Sequence, residues 1–478
     1  MADLIVVGAG AAGLYTSLCA AAAGARVVLV SALPLAETAS YWAQGGLAAA
    51  LAPEDSPGQH LEDTLAAGRG LVRRAAAEVL CAEAPARFAD LVELGVVFDA
   101  DAAGNVELGL EGGHSVRRIV HAGGSATGRR LLRGLAVRVV AEPAIEVREG
   151  GRVTSLLGTD GRAAGVALDD GTTVSARAVV LASGGGAALY SRTTNPPGSW
   201  GSGLLLARAA GADLADLEFV QFHPTAVTGI AGREGFLITE AIRGEGATLH
   251  GPDGERFVDE LAPRDAVARA IFRLMRDTSS AHVGLDMRAV DPLRFPNVVD
   301  ALRSAGVDPT RELIPVAPAS HYVMGGVVTD LDGRTGVAGL YAVGEVACTG
   351  LHGANRLASN SLSECFVFGR RAALAGLDEP APSGVPGEPR GPAPEAPTRA
   401  TREAIWRLAG LERSAADLEE LAQDPHPLAR MVAACALGRE ETRGGHARTE
   451  FPKSDGRLDY RHSVIQPQSF SSTLVSWQ

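Results

Sequence analysis

The feature that most constrains the fold is a glycine-rich turn, Gly8–Gly13, with the pattern Gly-x-Gly-x-x-Gly. It follows an apolar run, Leu4–Val7, and opens an alanine-rich stretch that leads to a second apolar run, Arg26–Val30. This order of strand, turn, helix and strand is typical of the βαβ unit that binds the pyrophosphate of a dinucleotide. Its glycines allow a tight turn, close approach of the ligand and close packing of helix on strand. The sequence therefore predicts a Rossmann-like α/β domain at the start of the chain.

The residue after the second predicted strand qualifies this interpretation. An acidic side chain usually binds the ribose at that point, but here Ser31 occupies it. A hydroxyl is a weaker partner for a ribose than a carboxylate, so the pattern disfavours NAD as the ligand.

Length and charge limit the classes of function. A chain of 478 residues predicts two or three domains. A net charge of -12 argues against nucleic acid or an anionic membrane as the main partner, since both require a basic surface. The five cysteines lack metal or CxxC spacing, which indicates free thiols in a reducing cytoplasm. We find no export signal and no apolar run long enough to span a membrane.

Changes of pattern along the chain predict its organisation. The pattern is helical over 60–97, and short β-like runs follow over 138–180, the last leading into the glycine-rich turn 183–186. Polar residues then become frequent, which suggests a capping domain inserted into the nucleotide-binding domain. We expect a nucleotide domain at 1–217 and 325–376, an α+β cap at 218–324, a Pro-rich linker at 377–398, and a small C-terminal helical region with a tail at 399–478. The tail from Thr449 onward is polar, and we expect it to be poorly ordered.

A second informative segment is Thr349–Leu362, where Arg356 stands just ahead of a predicted helix start. Ser361 and Glu364 have the spacing of a capping box, which would open an apolar helix at Leu362. A helix N-terminus attracts anions. Such a grouping suits the anionic end of a reduced flavin and an acidic substrate. An ordinary capped core helix with a surface arginine is the alternative.

Side chains suited to a dicarboxylate occur within and beside the predicted cap. They comprise two imidazoles, three guanidinium or carboxylate partners and a hydroxyl: His223, Thr239, Glu240, Arg243, Arg264 and His321. Arginine binds a carboxylate through a planar two-point fork. Each residue alone has an ordinary structural explanation, but the set together with Arg356 forms a plausible dicarboxylate receptor. The sequence has no nucleophile elbow, Walker loop or metal-ligand cluster that would favour other chemistry.

The order of these motifs resembles the flavoprotein family that comprises succinate dehydrogenase, fumarate reductase and L-aspartate oxidase. The resemblance runs through residues 3–376, with a weaker and shortened match around Arg439–His446. It implies that FAD is the cofactor and that the reaction moves a hydride between the flavin and a dicarboxylate.

Two features are similar to the aspartate-oxidising branch of that family. The segment Glu111–Ser115 resembles a loop whose glutamate faces the substrate's amino group, where a carboxylate would attract an ammonium and repel a plain dicarboxylate. The membrane-bound relatives tether FAD to a histidine shortly before an Ala-Gln-Gly-Gly turn. Here Ala43–Gly46 is present, but Ala39 lies near the expected histidine position, so we expect noncovalent FAD.

The resemblance also implies roles for individual residues. Glu111, His223, Thr239, His321 and Arg356 would bind the substrate, while Arg264 would transfer a proton with Glu240 and Arg243 as a relay. Because a guanidinium hardly ever deprotonates, charge stabilisation and proton donation to fumarate are the safer roles for Arg264. The implied FAD contacts are Gly8, Gly10, Gly13, Ser31, Gln44, Gly45, Glu345, Ser361 and Leu362.

The chain departs from the family pattern at several positions. Ser183 and Ser202 replace the more common threonine and aspartate near the second nucleotide segment, so the family's contacts to adenosine are not carried over to these two positions. The segment Val258–Leu261 before Arg264 and the C-terminal bundle are shorter than in many relatives, so closure over the site is expected to differ.

The resemblance implies oxidation of L-aspartate to iminoaspartate, with oxygen or fumarate as electron acceptor. The product would feed quinolinate and NAD synthesis, with possible transient contact to quinolinate synthase. Two alternatives stay open: a soluble flavoprotein subunit of fumarate reductase or succinate dehydrogenase, and a flavin-binding module of another class, such as a redox sensor or RNA-modification scaffold.

Overall fold

The computed structural model describes residues 1–35, 37–159, 161–384, 387 and 389–477. Within them the α-helices are α1 Ala11–Ala22, α2 Pro57–Ala67, α3 Arg74–Glu93, α4 Thr127–Ala141, α5 Ser202–Ala210, α6 Glu240–Gly244, α7 Arg264–Thr278, α8 Pro296–Arg303, α9 Asn360–Leu377, α10 Arg399–Leu408, α11 Ala415–Leu421 and α12 Pro427–Gly438.

The strands of the described residues are β1 Ala2–Val7, β2 Val27–Ser31, β3 Leu47–Ala48, β4 Leu108–Gly109, β5 Ile119–Val120, β6 Ile145–Glu149, β7 Val153–Thr159, β8 Arg162–Leu168, β9 Thr173–Leu181, β10 Leu214–Ala215, β11 Val220–Val227, β12 Thr248–His250, β13 Val283–Asp286, β14 Ile314–Val323, β15 Gly326–Val328, β16 Leu340–Ala342, β17 Ala347–Cys348, β18 Pro389–Arg390, β19 Arg461–Ile465 and β20 Ser472–Ser476.

The largest sheet has eight strands in the order β18-β7-β8-β9-β1-β2-β6, with β16 also paired to β9. The pairs of β1 with β2, β1 with β9, β2 with β6 and β9 with β16 are parallel. Strands buried on both faces need continuous apolar runs, which is why Leu4–Val7 and Val27–Val30 are buried throughout. This arrangement confirms the predicted Rossmann-like fold.

The glycine-rich turn joins β1 to α1 as predicted. Gly8 has a φ of 109°, a conformation that only glycine adopts without strain. A Cβ on Gly13 would lie 1.8 Å from the carbonyl oxygen of Gly8, so a larger residue could not pack there. The third glycine of the motif therefore serves the packing of helix on strand.

The predicted cap corresponds to a four-stranded sheet in the order β11-β14-β13-β12, together with α6, α7 and α8. The segment has a hydrophobic core of its own, formed by buried side chains between Val227 and Val316. Strand and helix content agree with the expected α+β cap. The exact domain boundaries stay a prediction.

The helical prediction for 60–97 corresponds to α2 and α3, whereas the first residues of the β-like region, Arg138–Ala141, instead end α4. The five cysteines are free, and three of them are buried. The Pro-rich segment contains β18, which pairs with β7. Its residues Val385, Pro386 and Glu388 lie outside the described residues.

The expectation of a poorly ordered tail is wrong. After the helices α10, α11 and α12, the chain forms β19 and β20, which extend the sheet β17-β15-β10-β19-β20. The side chains of His462, Ser463, Val464 and Ile465 are buried. The polar composition of the tail suggested an exposed segment, but polar side chains of β19 have buried hydrogen-bond partners in a distant part of the chain. For example, His462 Nδ1 contacts Asp216 Oδ2 at 2.5 Å. Among the described helices, none has the length and apolar character needed to cross a bilayer.

Candidate active site

A single cavity of about 670 Å³ runs from the glycine-rich turn to the cap, a volume within the usual range for ligand sites. It brings together nearly all of the predicted site residues. Those that line it are Gly8, Gly10, Ser31, Gln44, Gly45, Glu111, His223, Thr239, Glu240, Arg264, His321, Glu345, Arg356, Ser361 and Leu362. Gly13 and Arg243 do not line it: Gly13 packs beneath the turn, and Arg243 is buried behind Glu240.

The turn end of the cavity fits a dinucleotide. A Cβ on Gly8 would lie 2.4 Å from the carbonyl oxygen of Ala182, so the backbones of the two strand ends approach closely there. Gly10, the N-cap residue of α1, has no side chain to cap the helix, although Ser40 Oγ accepts from the N–H of Ala11 at 3.2 Å. A helix N-terminus attracts an anion. Two buried polar atoms in this lining, Gln44 Oε1 and Ser183 Oγ, have no hydrogen-bond partner among the residues that the structure describes. These groups suit the pyrophosphate and polar ring edges of FAD.

The part of the cavity expected to hold adenosine contains serine hydroxyls. The hydroxyl of Ser31 donates to the carbonyl oxygen of Leu33 at 2.6 Å, and Ser202 is the first residue of α5 at the cavity wall. Both hydroxyls line the space, so they can serve as modest polar contacts.

Glu345 follows β16 and the turn at Gly344, whose φ is 67°. Its carboxylate accepts a hydrogen bond from the backbone N–H of Val323 at 3.0 Å. Burial raises the pKa of Glu345 to about 7, although backbone N–H groups of Val323 and Gly185 partly oppose this. A carboxyl so placed can accept from, or donate to, sugar hydroxyls.

The capping box predicted at Ser361 and Glu364 is wrong. The helix α9 begins at Asn360, and its N-cap residue Ser359 has a φ of 62° and makes no side-chain cap bond. Glu364 instead turns into the core, where it accepts from the hydroxyl of Tyr322 at 2.8 Å. The hydrogen bond of Glu364 to a distant residue therefore replaces the local capping interaction. The start of α9 still lies against the cavity.

Arg356 is held in the cavity wall by several groups. Its Nη1 donates to Ser361 Oγ at 3.0 Å and its Nη2 to Gln221 Oε1 at 2.8 Å. The guanidinium carbon lies 4.6 Å from the centre of the Tyr322 ring. Burial and the nearby charge of Arg264 lower the pKa of Arg356 to about 10, so it stays cationic at neutral pH. It is a fixed cation without an ion-pair partner among the described residues.

The two predicted histidines face each other, with ring centres 5.5 Å apart. Burial together with the charges of nearby arginines holds the pKa of both His223 and His321 well below the ordinary value. His223 Nδ1 accepts from the backbone N–H of Thr225 at 3.3 Å, so the neutral ring carries its proton on Nε2. His321 Nδ1 contacts Thr194 Oγ1 at 2.8 Å. Neutral imidazoles can donate to a substrate carboxylate without adding charge.

Arg264, the first residue of α7, forms an ion pair with Glu240, the first residue of α6. Although burial opposes its charge, the carboxylates of Glu240 and Glu111 raise the pKa of Arg264 above its ordinary value. Arg243 lies 3.9 Å from Glu240 Oε2 and donates to the carbonyl oxygen of Glu260. Burial lowers the pKa of Arg243. Glu240 therefore contacts Arg264 at the cavity wall and Arg243 behind it.

Glu111 lies at the cavity wall in the loop between β4 and β5, with 11% of its side chain exposed. Its Oε2 accepts from Ser359 Oγ at 2.6 Å, and its Oε1 lies 3.7 Å from His121 Nε2. Burial would raise its pKa, but the contact with His121, the charge of Arg264 and the bond from Ser359 lower the pKa of Glu111 to about 2. This carboxylate is therefore anionic at any working pH.

Sequence reasoning missed several residues of this site. Gln221 bridges the two arginines, since its Oε1 accepts from Arg356 and also lies 3.4 Å from Arg264 Nη1. Its position two residues before His223 in an extended segment was the available signal. Ser359 and His121 contact Glu111, and nothing in the local sequence pattern marks either one.

The chain has a nucleotide-binding fold, and one cavity holds cationic and imidazole side chains suited to a dicarboxylate. These features define an FAD-dependent oxidoreductase. A family described as FAD binding domain matches residues 3–362, and one described as Fumarate reductase flavoprotein C-term matches residues 403–475. The chain belongs to the L-aspartate oxidase family.

Two curated relatives show this membership, and one solved structure shows the shared fold. The chain is 46% identical to an L-aspartate oxidase of Caulobacter vibrioides, over 94% of each chain. It is 43% identical to an L-aspartate oxidase of Streptomyces coelicolor, over 97% of this chain and 91% of the relative. Among solved structures, a quinol fumarate reductase of E. coli superposes with a TM-score of 0.88 at 28% identity, covering 99% of this chain and 96% of that chain.

Proposed function

We propose that the protein oxidises L-aspartate to iminoaspartate with noncovalent FAD, and that oxygen or fumarate is the final electron acceptor. One observation carries the proposal: the anionic carboxylate of Glu111 shares a cavity with a cationic, imidazole-rich receptor. Such a site offers opposite charges to the ammonium and the carboxylates of one amino acid.

The substrate carboxylates would be bound by Arg356, His223, His321 and Thr239. Arg356 supplies the charge, and the neutral imidazoles supply N–H donors. Because these groups are already held by Gln221 and by backbone or hydroxyl partners, little ordering is required when the substrate binds.

FAD, when bound, supplies a hydride acceptor for the α-hydrogen of aspartate. The residues that would hold it are the glycines of the turn, Gln44 and Gly45 in the next loop, Glu345 at the ribose hydroxyls, and Ser361 and Leu362 at the start of α9. Glu111 would orient the ammonium group, so that loss of the α-hydrogen as a hydride and of one N–H proton to solvent would give the protonated imine, which becomes the imine when it releases a second proton to solvent.

Arg264 would stabilise negative charge near the reacting carbon. Its raised pKa argues against a general base, because the guanidinium is even harder to deprotonate than usual. Donation of a proton to fumarate would need the same deprotonation, so it would require rapid return of the proton through Glu240 and Arg243, which lie behind Arg264.

A second function is favoured by a specific observation. Arg356, Arg264 and the two histidines would bind a plain dicarboxylate equally well, and a fumarate reductase is among the similar structures. The alternative is a soluble fumarate reductase or succinate dehydrogenase flavoprotein. Glu111 distinguishes the two functions, since a buried anion disfavours a dicarboxylate that lacks an amine.

The product would be consumed in quinolinate and NAD synthesis. We propose a cytoplasmic location, which the free thiols of all five cysteines support. A transient contact with quinolinate synthase would limit loss of a reactive imine to water.

The decisive experiment is an anaerobic reduction. Purified yellow protein is mixed separately with aspartate, succinate and glutamate, and the flavin absorbance is followed. We expect aspartate alone to bleach the flavin rapidly. Rapid bleaching by succinate and none by aspartate would contradict the proposal and favour the dicarboxylate alternative.

The flavin is expected to be released by acid. The cavity wall near the turn Ala43–Gly46 carries the methyl group of Ala39, which cannot form a covalent bond to the ring. After acid precipitation the yellow colour should therefore stay in the supernatant. Colour retained in the washed pellet would mean a covalent flavin and would contradict this expectation.

A further inference from the structure

The loop that carries Glu111 is anchored by a buried ionic network. The Arg118 side chain is 0% exposed and binds Asp55 through two hydrogen bonds, Nε to Oδ2 at 2.9 Å and Nη2 to Oδ1 at 3.0 Å. Its Nη1 donates to Asp63 Oδ2. Bidentate arginine–carboxylate pairs are geometrically specific, so the C-terminal end of the loop is fixed.

Asp63 fixes the loop at a second point. Its Oδ2 accepts from the backbone N–H of Ser115 at 2.8 Å and from the Ser115 hydroxyl at 2.9 Å. One carboxylate oxygen therefore receives three donors from Ser115 and Arg118. Asp63 belongs to α2, a helix that does not itself line the cavity.

His114 connects the loop to the start of α9. Arginine has no acceptor, so His114 Nδ1 must accept from Arg118 Nη1, 2.9 Å away. The neutral ring then carries its proton on Nε2, which donates to the carbonyl oxygen of Ala358 at 2.9 Å. The next residue, Ser359, donates to Glu111. The hydrogen-bond network therefore leads from Arg118 through His114 and the Ala358–Ser359 segment to the carboxylate of Glu111.

The same face of α2 holds the first residue of α9. His60, Asp63 and Thr64 are spaced i, i+3 and i+4, which places them on one side of the helix. His60 Nε2 contacts Asn360 Oδ1 at 2.7 Å, and Asn360 Nδ2 donates to Thr64 Oγ1 at 3.1 Å. Asn360 is four residues after Arg356, so one helix face braces both the Glu111 loop and the Arg356 segment.

We propose that this face of α2, with Asp63 as its principal group, sets the position of Glu111 relative to Arg356 and thereby the preference for an amino dicarboxylate. Asp63 and His114 are positioning residues, because they act through Glu111 and do not touch the substrate. The inference rests on the proposed function, since it concerns how that site recognises the ammonium.

The brace acts differently on two substrates. Aspartate needs Glu111 and Arg356 at a fixed separation, because it is held by its ammonium and its carboxylates. Fumarate has no ammonium and uses the cationic side of the cavity alone. Loosening the Glu111 loop should therefore weaken aspartate binding and leave fumarate binding nearly unchanged.

The test is Asp63→Asn in the full-length holoenzyme, assayed for aspartate oxidation and for fumarate reduction with a reduced dye. Arg118 keeps its pair with Asp55, so no buried charge is left alone. We expect the KM for aspartate to rise about fivefold or more, and the KM for fumarate to change less than about twofold. Glu83→Gln is the matched control, since it neutralises the partner of another arginine, Arg371, away from the cavity; both activities should be unchanged.

A double-mutant cycle separates positioning from general loosening. If Asp63 acts through Glu111, Asp63→Asn should have almost no further effect on the KM for aspartate in a Glu111→Gln background. An effect that persists there, or an equal loss of both activities in the single variant, would overturn the inference. Should Asp63→Asn fail to fold, Ser115→Ala removes one of the three donors, and the same pattern is expected at smaller size.

The outcomes also separate this inference from the proposed function. A wild-type protein that reduces fumarate but does not oxidise aspartate refutes the proposed function. A wild-type protein that oxidises aspartate, with an Asp63→Asn variant of normal kinetics, refutes the inference alone.

Discussion

Replacing Arg264 with leucine is expected to leave FAD bound and to reduce turnover about 10²- to 10⁴-fold, the usual contribution of a positioned proton-transfer or charge-stabilising group. The guanidinium pairs directly with Glu240, and the charge of Glu111 helps to keep it protonated. Leucine removes the charge from the reacting region while the turn at Gly8–Gly13 stays intact. The measurements are kcat for aspartate oxidation and the flavin-to-protein absorbance ratio.

Two companion variants control for this loss. Arg273→Leu makes the same change nine residues later on α7, where the side chain pairs with Glu412 at the surface, and it should retain normal turnover. Arg264→Lys keeps the charge but loses the fork, so an intermediate rate is expected. An Arg264→Leu enzyme that kept most of its rate would contradict the proposed chemistry and support a flavin-binding module of another class.

The parts of the fold that the sequence predicted are those with local causes. The βαβ unit is specified by an apolar strand, three glycines and a helix within Ala2–Ser31, and Gly13 packs on the carbonyl oxygen of Gly8 within the same turn. Strand β9 was likewise visible as an apolar run leading into the turn at Ser183. Local sequence sufficed there because apolar runs and glycines specify the strand, the turn and the helix, even though distant segments such as β9 pack against them.

The wrong predictions concern residues whose structure is determined by contacts with distant parts of the chain. Ser361 and Glu364 have capping-box spacing, but Glu364 is hydrogen-bonded to Tyr322 and His352, which come from other segments. The polar tail was expected to be poorly ordered, yet its strand β19 pairs with Leu214–Ala215, about 250 residues earlier in the chain. A local sequence pattern does not show which distant residues will form buried hydrogen bonds or strand pairs with a segment.

The residues of the candidate site also separate into those that the sequence predicted and those that depend on distant contacts. Its charged and imidazole residues were found because of their side-chain chemistry and their motifs. Gln221, Ser359 and His121 were missed, because their contribution depends on which carboxylate or guanidinium they contact. The positions of Gly13 and Arg243 outside the cavity also required the packed structure.

Replacing Glu111 with glutamine is expected to weaken aspartate oxidation selectively. Glutamine keeps the size of the side chain and can still accept from Ser359, so the loop should hold its shape. The lost interaction is between the anion and the substrate ammonium, worth about 1–3 kcal/mol in transition-state binding, or roughly 5- to 150-fold in kcat/KM. Since the pKa of Glu111 is about 2, the wild-type carboxylate is fully ionised throughout any practical assay range.

Fumarate reduction provides the internal comparison for this variant, because fumarate has no ammonium and gains nothing from the anion. Its kcat/KM should be unchanged or rise slightly as repulsion is removed. Glu107→Gln is the matched control: it makes the same substitution four residues earlier, at an exposed side chain, and should alter neither activity. An equal loss of aspartate oxidation and fumarate reduction in Glu111→Gln would mean that the carboxylate supports the site as a whole. The distinction between an amino acid and a plain dicarboxylate would then have to reside in another group.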